Sequence, residues 1–264
     1  MDLELADKVV IVTGGSSGIG YAIAKGFALE RSRVVIAARQ KSRLESAATM
    51  LARDTGGQVT GISTDTTDQA SVDRMVSEAF RAHGRIDVLV NCAAAPAGLV
   101  RNGIEDLDSA ALLADLNTKV VGYARCCCAV APIMKNQRCG RIVQIGGLTG
   151  RSSNTLSGMR NVAISHLTKT VADQLGPFGI TVNTVHPGVV RTQHLDDLFS
   201  SEAQKRGCST LEVEAGFVMD TPIRRILEPV EIARAVLFLA SPHGASITGE
   251  SIAIDGGITR GIYL

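Results

Sequence analysis

The 264-residue chain predicts an α/β fold, a single domain built on a doubly wound parallel sheet with helices on both faces. Apolar, β-branched runs alternate with helix-period segments from end to end. The strand-like runs are apolar at nearly every position, the pattern of strands covered on both sides. No Pro/Ser/Gly-rich run, charge block or repeat interrupts the alternation, which favours one unit over residues 1–264.

Taken in order, the first strand is Val9, Val10, Ile11 and Val12, followed by a glycine turn and a helix whose apolar face carries Ile23 and Phe27. Residues 33–39 form a second strand, and 42–53 a helix closed by Gly56 and Gly57. A strand at 59–63 leads to a helix at 71–83 with Gly84 as its stop. The fourth strand is 86–90. Residues 107–131 read as one long helix ending at Pro132. Strand 141–145, helix 157–175 and strand 180–185 follow, the last stopped by Pro187 and Gly188. Residues 191–221 read as a polar, irregular segment, ahead of a helix at 230–239 and a last strand at 251–254.

The totals exclude several classes of function. A net charge of +1 gives no electrostatic footprint for nucleic acid or anionic lipid. The acidic start does not read as a signal peptide, and the longest uncharged apolar stretch, 88–100, is too short to span a membrane. A cytoplasmic protein is expected. Six cysteines lack zinc-type spacing and read as small buried hydrophobes, and with 3% aromatics the core must be aliphatic.

Residues 13–20 read Thr-Gly-Gly-Ser-Ser-Gly-Ile-Gly, between a strand and a helix. In that context Gly14, Gly18 and Gly20 let the backbone turn sharply and bring bare amides close to a diphosphate; Ser16 and Ser17 offer hydroxyls, and Ile19 belongs to the same turn. The helix N-terminus adds partial positive charge. An ordinary tight turn is the plain alternative. An acid at the end of the second strand would grip the ribose hydroxyls of NAD. Ala38 stands there instead, and Arg39 follows, with Lys41 and Arg43 nearby. An arginine suits a 2′-phosphate, so NADP is the expected cofactor, with NAD the alternative.

With these residues in hand, the chain resembles the short-chain dehydrogenase/reductase family over essentially its whole length. The resemblance rests on the 13–20 turn, Asp65 in Thr-Asp-Thr-Thr-Asp, and Asn91-Cys92-Ala93-Ala94. It extends to Asn117 after Asp115-Leu116, Pro187-Gly188, and the late Asp255-Gly256-Gly257. It implies a single-domain Rossmann fold in which Asp65 and Thr66 meet the adenine, and Asn91 and Ala93 line the cofactor cleft. Pro187, Gly188, Val190 and Thr192 would hold the nicotinamide amide and diphosphate. It also implies a homotetramer or homodimer, joined through helices 107–131 and 157–175 and the last strand. Residues 192–221 would then be a lid over a small-molecule substrate.

The family's proton relay does not carry over. It uses a Ser after the fifth strand, a Tyr, a Lys one helical turn beyond the Tyr, and an Asn on the preceding long helix. Here the Tyr position falls on Ser157, the Lys position on Asn161, and the Ser position on Gly147 or Gly146. Asn117 alone matches. Among substitutes, Arg160 lies about 60° from Ser157 on a helix. His186, His194, Ser152, Ser153, Thr155 and Tyr263 are further candidates. The expected function is an NADP(H)-linked oxidoreductase acting on a carbonyl, alcohol or enoyl substrate with an unconventional proton donor. A silent nucleotide-binding protein (a sensor or partner subunit) and a non-redox lyase or isomerase are the alternatives.

Overall fold

A computed structural model describes residues 2–94, 104–150, 156 and 158–261. Seven strands form one parallel sheet in the order β3-β2-β1-β4-β5-β6-β7. They are β1 (Val9–Thr13), β2 (Arg33–Ala38), β3 (Gln58–Ser63), β4 (Val88–Asn91), β5 (Gly140–Ile145), β6 (Ile180–Pro187) and β7 (Ser251–Ile254). The order reverses at β1, which pairs with β2 on one side and β4 on the other, Thr13 lying opposite both Ala37 and Asn91. At such a switch point a crevice opens beyond the carboxyl ends of the strands.

Alternate strand residues feed two cores, because successive side chains leave a strand on opposite faces. Val10, Val12, Val34, Ile36, Val88 and Val90 pack under α1 (Gly18–Leu29), α2 (Lys41–Thr55) and α9 (Pro229–Ala240). Ile11, Val35, Leu89, Ile142 and Val182 pack under three other helices, α3 (Gln69–His83), α5 (Gly122–Gln137) and α6 (Gly158–Leu175). The cysteines at 126 and 127 are buried in the second core, and burial pushes the Cys127 thiol up to about 12. Among the described residues no group of three or more His, Cys, Asp or Glu is placed to hold a metal. No described helix is long and apolar enough to cross a membrane.

Two sequence expectations need correction. The helix expected over 107–131 is instead α4 (Ser109–Leu116), a π-helical turn (Asn117–Val121) and α5, which runs through Pro132 to Gln137. Proline removes one donor to the carbonyl four residues back. That carbonyl belongs to Cys128, an exposed residue, so the loss falls on the solvent side.

Residues 191–221 are not irregular but form α7 (Gln193–Arg206) and α8 (Thr210–Asp220). Thr192 caps α7, and Ser209 with Glu212 forms a capping box on α8. The apolar residues sit one turn apart, at Leu195, Phe199 and Ala203, and Phe199 meets Phe217 at 5.2 Å between ring centroids. Arg191 reaches across to Glu214 on α8. The polar residues that suggested a loop cover the outer faces of this pair.

Candidate active site

One cavity of about 810 Å³ runs along the carboxyl ends of the strands. At one end lies the glycine turn. Thr13 at the tip of β1 accepts the amides of Cys92 (3.1 Å) and Ala93 (3.2 Å), which fastens the turn to the loop after β4. The approach leaves no room for side chains. A Cβ on Gly14 would lie 2.9 Å from the Ala93 Cα, and one on Gly20 would lie 2.3 Å from the Gly14 carbonyl oxygen. No side chain caps the N-terminus of α1, so its first amides keep their capacity for an anion.

Ser16, Ser17, Gly18 and Ile19 complete this wall of the cavity, and Arg39 and Arg43 flank it beyond β2. Lys41 does not line it; its ammonium lies 3.9 Å from Glu45. Asp65 and Thr66 follow β3. Burial raises the Asp65 carboxyl, but bonds from the Thr67 amide (2.9 Å) and hydroxyl (2.8 Å), with Arg39 and Arg125 nearby, hold it below its ordinary value.

Ala93, Pro187, Gly188 and Thr192 also line the cavity, whereas Val190 and Asn91 do not. Val190 is buried in a bridge to Leu227. Asn91 is buried behind the wall, donating to Gln144 Oε1 at 3.0 Å, so it ties β4 to β5.

At the other end the picture departs from the sequence expectation. Asn117 is not on the cavity wall; its Oδ1 accepts from Arg125 at 3.0 Å. Two residues on, Lys119 is on the wall, only 4% exposed, and sequence reasoning passed over it. Its ammonium donates to the Gly146 carbonyl (2.6 Å) and to Asn161 Oδ1 (3.0 Å). Asn161 in turn donates to Thr149 Oγ1 at 2.8 Å. Arg160 lines the cavity beside them and is ion-paired with Asp115 in a nearly enclosed setting. Burial first, and then the Arg160 charge, bring the Lys119 pKa down to about 7. The one legible signal was a lone charge in an uncharged run, Thr118 to Ala124.

The glycines expected at the family's Ser position, Gly146 and Gly147, sit where side chains would clash. The loop after β5 lies directly on His186 and Asn161. A Cβ on Gly146 would lie 2.4 Å from His186 Nδ1, and one on Gly147 would lie 2.9 Å from Asn161 Nδ2. His186 itself is buried, with Nε2 3.0 Å from Ser165 Oγ, and is not on the wall, whereas His194 is. Cys92 lines the cavity too, its thiol pushed up to about 11 by burial. Ser152, Ser153, Thr155, Ser157 and Tyr263 lie outside the described residues.

A family model described as enoyl-(acyl carrier protein) reductase matches residues 14–259. The chain belongs to the short-chain dehydrogenase/reductase superfamily. It is 34% identical over 256 residues to the short-chain reductase protein NovJ of Streptomyces niveus, covering 95% of this chain and 94% of that one. It is 33% identical over 263 residues to a 3-oxoacyl-[acyl-carrier-protein] reductase of Thermotoga maritima, covering 97% and 99%. The L-sorbose reductase of Gluconobacter frateurii, solved with NADPH and L-sorbose, superposes with a TM-score of 0.93 at 26% identity, covering 99% of this chain and 100% of that one. As a short-chain dehydrogenase/reductase with reductase-named relatives, the protein is an oxidoreductase of this superfamily.

Proposed function

We propose that the chain is an NADP(H)-dependent reductase of a small carbonyl compound or enoyl thioester, working with a proton donor other than the family's tyrosine. The observation that carries this reading is the single cavity joining a glycine-built anion cradle and two arginines at one end to the buried Lys119–Asn161 group at the other. The cradle fits a dinucleotide diphosphate, since the Gly14 and Gly20 approaches exclude side chains and the α1 amides are uncapped. NADPH in the solved L-sorbose reductase supports the choice of cofactor.

In this reading Gly14 to Gly20 bind the diphosphate, and Arg39 with Arg43 the ribose 2′-phosphate. Asp65 and Thr66 flank the adenine, while Pro187, Gly188 and Thr192 hold the nicotinamide end. When bound, NADPH supplies the hydride for an electrophilic carbon. Arg160 and Asn161 orient the substrate oxygen, and α7 and α8 close over it and exclude water, as the lid expected at 192–221.

Charge-assisted bonds are worth roughly 1.5–3 kcal/mol. Arg39→Ala is therefore expected to weaken NADPH binding by roughly 10- to 100-fold and to leave NADH binding nearly unchanged. Titrating both nucleotides by fluorescence checks this, and an equal loss for both would remove Arg39 from the 2′-phosphate site. Turnover of NADPH across a panel of carbonyls and enoyl thioesters tests the reaction. Binding without turnover of any of them would favour the nucleotide-binding reading, which the glycines at 146 and 147 otherwise recommend.

A homotetramer or homodimer in the cytoplasm completes the proposal. Leu113 on α4, Val121 beside α5, and Met159 and Val162 on α6 are exposed apolar residues on the helices expected to pair, at 67%, 42%, 53% and 55%. Burying these side chains against a second copy would remove apolar surface from water. Sedimentation equilibrium should give a mass of two or four chains, and the mass of one chain at micromolar concentration would contradict it.

A further inference from the structure

The family's relay places a lysine amine at the position that is Asn161 in this chain. In the folded protein an amine still meets position 161, but it arrives from another element. Lys119 stands in the π-helical turn between α4 and α5, and its Nζ lies 3.0 Å from Asn161 Oδ1. π-helical turns are rare and often mark functional sites.

We propose that Lys119 is the catalytic acid of this enzyme, donating the proton to the substrate oxygen from the cavity wall. The assignment rests on the reductase reading above and specifies its unconventional donor.

The geometry supplies the requirements for a general acid. Lys119 lines the cavity, yet it is 4% exposed, so it is held apart from bulk water. Two acceptors fix the amine, the Gly146 carbonyl and the Asn161 amide oxygen. An ammonium has three protons, and among the described residues no third acceptor takes the remaining one. Asn161 is itself locked by its bond to Thr149, which holds the amine's partner in place.

Two ionisable neighbours of Lys119 hold their protons too tightly to serve. Tyr123 on α5 has its hydroxyl bonded to the Ile145 carbonyl at 3.1 Å, and burial raises it well above its ordinary value. Cys92, after β4, is kept neutral by burial.

The proton inventory balances. In reduction, the carbonyl carbon receives hydride from the bound dihydronicotinamide while the oxygen gains electron density. A Lys119 N–H bond breaks, an O–H bond forms on that oxygen, and the nitrogen keeps the electron pair as a neutral amine. A solvent proton then restores the ammonium. In alcohol oxidation the neutral amine accepts the proton instead.

The charged groups facing the amine set its poise. Arg160 on α6 opposes the ammonium. Asp115 on α4 favours it, and a thiolate at Cys92 after β4 would do so more strongly, but burial keeps that thiol neutral. His186 on β6 lies under Gly147, with its Nδ1 3.1 Å from that amide nitrogen. With the pKa near 7, both protonation states are populated at neutral pH, the condition under which a general acid is most effective.

The test uses the full-length wild-type chain together with Lys119→Met and Lys119→Arg. Methionine keeps the length of the side chain without a proton, and arginine keeps the charge without giving it up at neutral pH. Both are expected to lower kcat for the best carbonyl substrate by about 10²–10⁴-fold. Each should bind NADPH within threefold of wild type. In wild type, kcat for reduction should fall as pH rises through about 7, because the ammonium is the donating form.

An independent readout is the ¹³Cε resonance of labelled lysine. One of the chain's seven lysine signals should titrate near pH 7 without any substrate, and it should be missing from Lys119→Met. Wild-type turnover that either variant retains would overturn the assignment alone. So would seven lysine signals all titrating above pH 9, a result available even if both variants fail to fold. Silence of the wild type across the substrate panel, with NADPH bound, would overturn the reductase reading and the assignment with it.

Discussion

Asp115→Ala is expected to destabilise the protein by about 3–5 kcal/mol, because it strands a buried guanidinium. Asp115 and Arg160 have side chains only 4% and 10% exposed, and each is the other's ion-pair partner. Removing the carboxylate leaves two cations, Arg160 and Lys119, facing each other across the cavity wall. The ammonium would then be harder to keep, and the Lys119 pKa should fall below its value of about 7. The pair is also incompletely bonded, since Asp115 Oδ2 and Arg160 Nε have no hydrogen-bond partner among the described residues. Replacing both with apolar side chains, as Asp115→Leu with Arg160→Met, should therefore recover most of the loss. Urea unfolding of the wild type and the two variants at pH 7 measures this. A single-variant loss under 1 kcal/mol would mean that water reaches Arg160 and that the pair is not buried in solution.

Gly20→Ala is expected to damage the nucleotide site and the fold together. The added methyl would lie 2.3 Å from the Gly14 carbonyl oxygen and 2.8 Å from its carbon, both backbone atoms of the turn that must approach the diphosphate. Neither can move without displacing β1 or α1. Overpacking of this kind costs roughly 1–3 kcal/mol. A comparable loss in binding corresponds to roughly a 10- to 100-fold rise in the NADPH dissociation constant. Gly216→Ala in α8 is the matched control, because its Cβ would meet nothing within 4 Å and the position is exposed. In a helix that exchange is worth about 1 kcal/mol in favour of alanine. Thermal unfolding with and without NADPH separates the two variants. If Gly20→Ala bound NADPH as tightly as Gly216→Ala, the close approach of turn and helix would not be what shapes the site.

The glycine-turn end of the cavity was largely legible in the sequence, and the Lys119–Asn161 end was not. Gly14, Ser16, Ser17, Gly18 and Gly20 all line the cavity, and the roles proposed for them rest on backbone close to their own place in the chain, so they can be read from residue order. Arg39 follows from the strand end in the same way. Asn91 and Val190 belong to the same motifs but lie behind the wall, because whether a strand-end residue points at the crevice depends on neighbouring strands. The helices at 193–206 and 210–220 were readable from Thr192, Ser209 and Glu212, but their apolar residues pack mainly on each other. The segment therefore lacked a strong core-facing pattern.

By itself, the order of residues determined the doubly wound sheet, the placement of the glycine turn at its switch point, and the absence of an acid at the end of β2. These follow from local periodicity and from side chains too small or of the wrong charge. Tertiary structure alone decided which amine lines the cavity beside Asn161. At 100° per residue, Lys119 lies about 200° from Asn117, so a helix drawn with Asn117 inward carries Lys119 outward. The π-helical turn at Asn117–Val121 changes that phase, and burial of Lys119 itself, followed by the Arg160 charge, brings its pKa down to about 7. The loop after β5 could approach only because Gly146 and Gly147 leave room for His186 and Asn161, side chains brought there from β6 and α6.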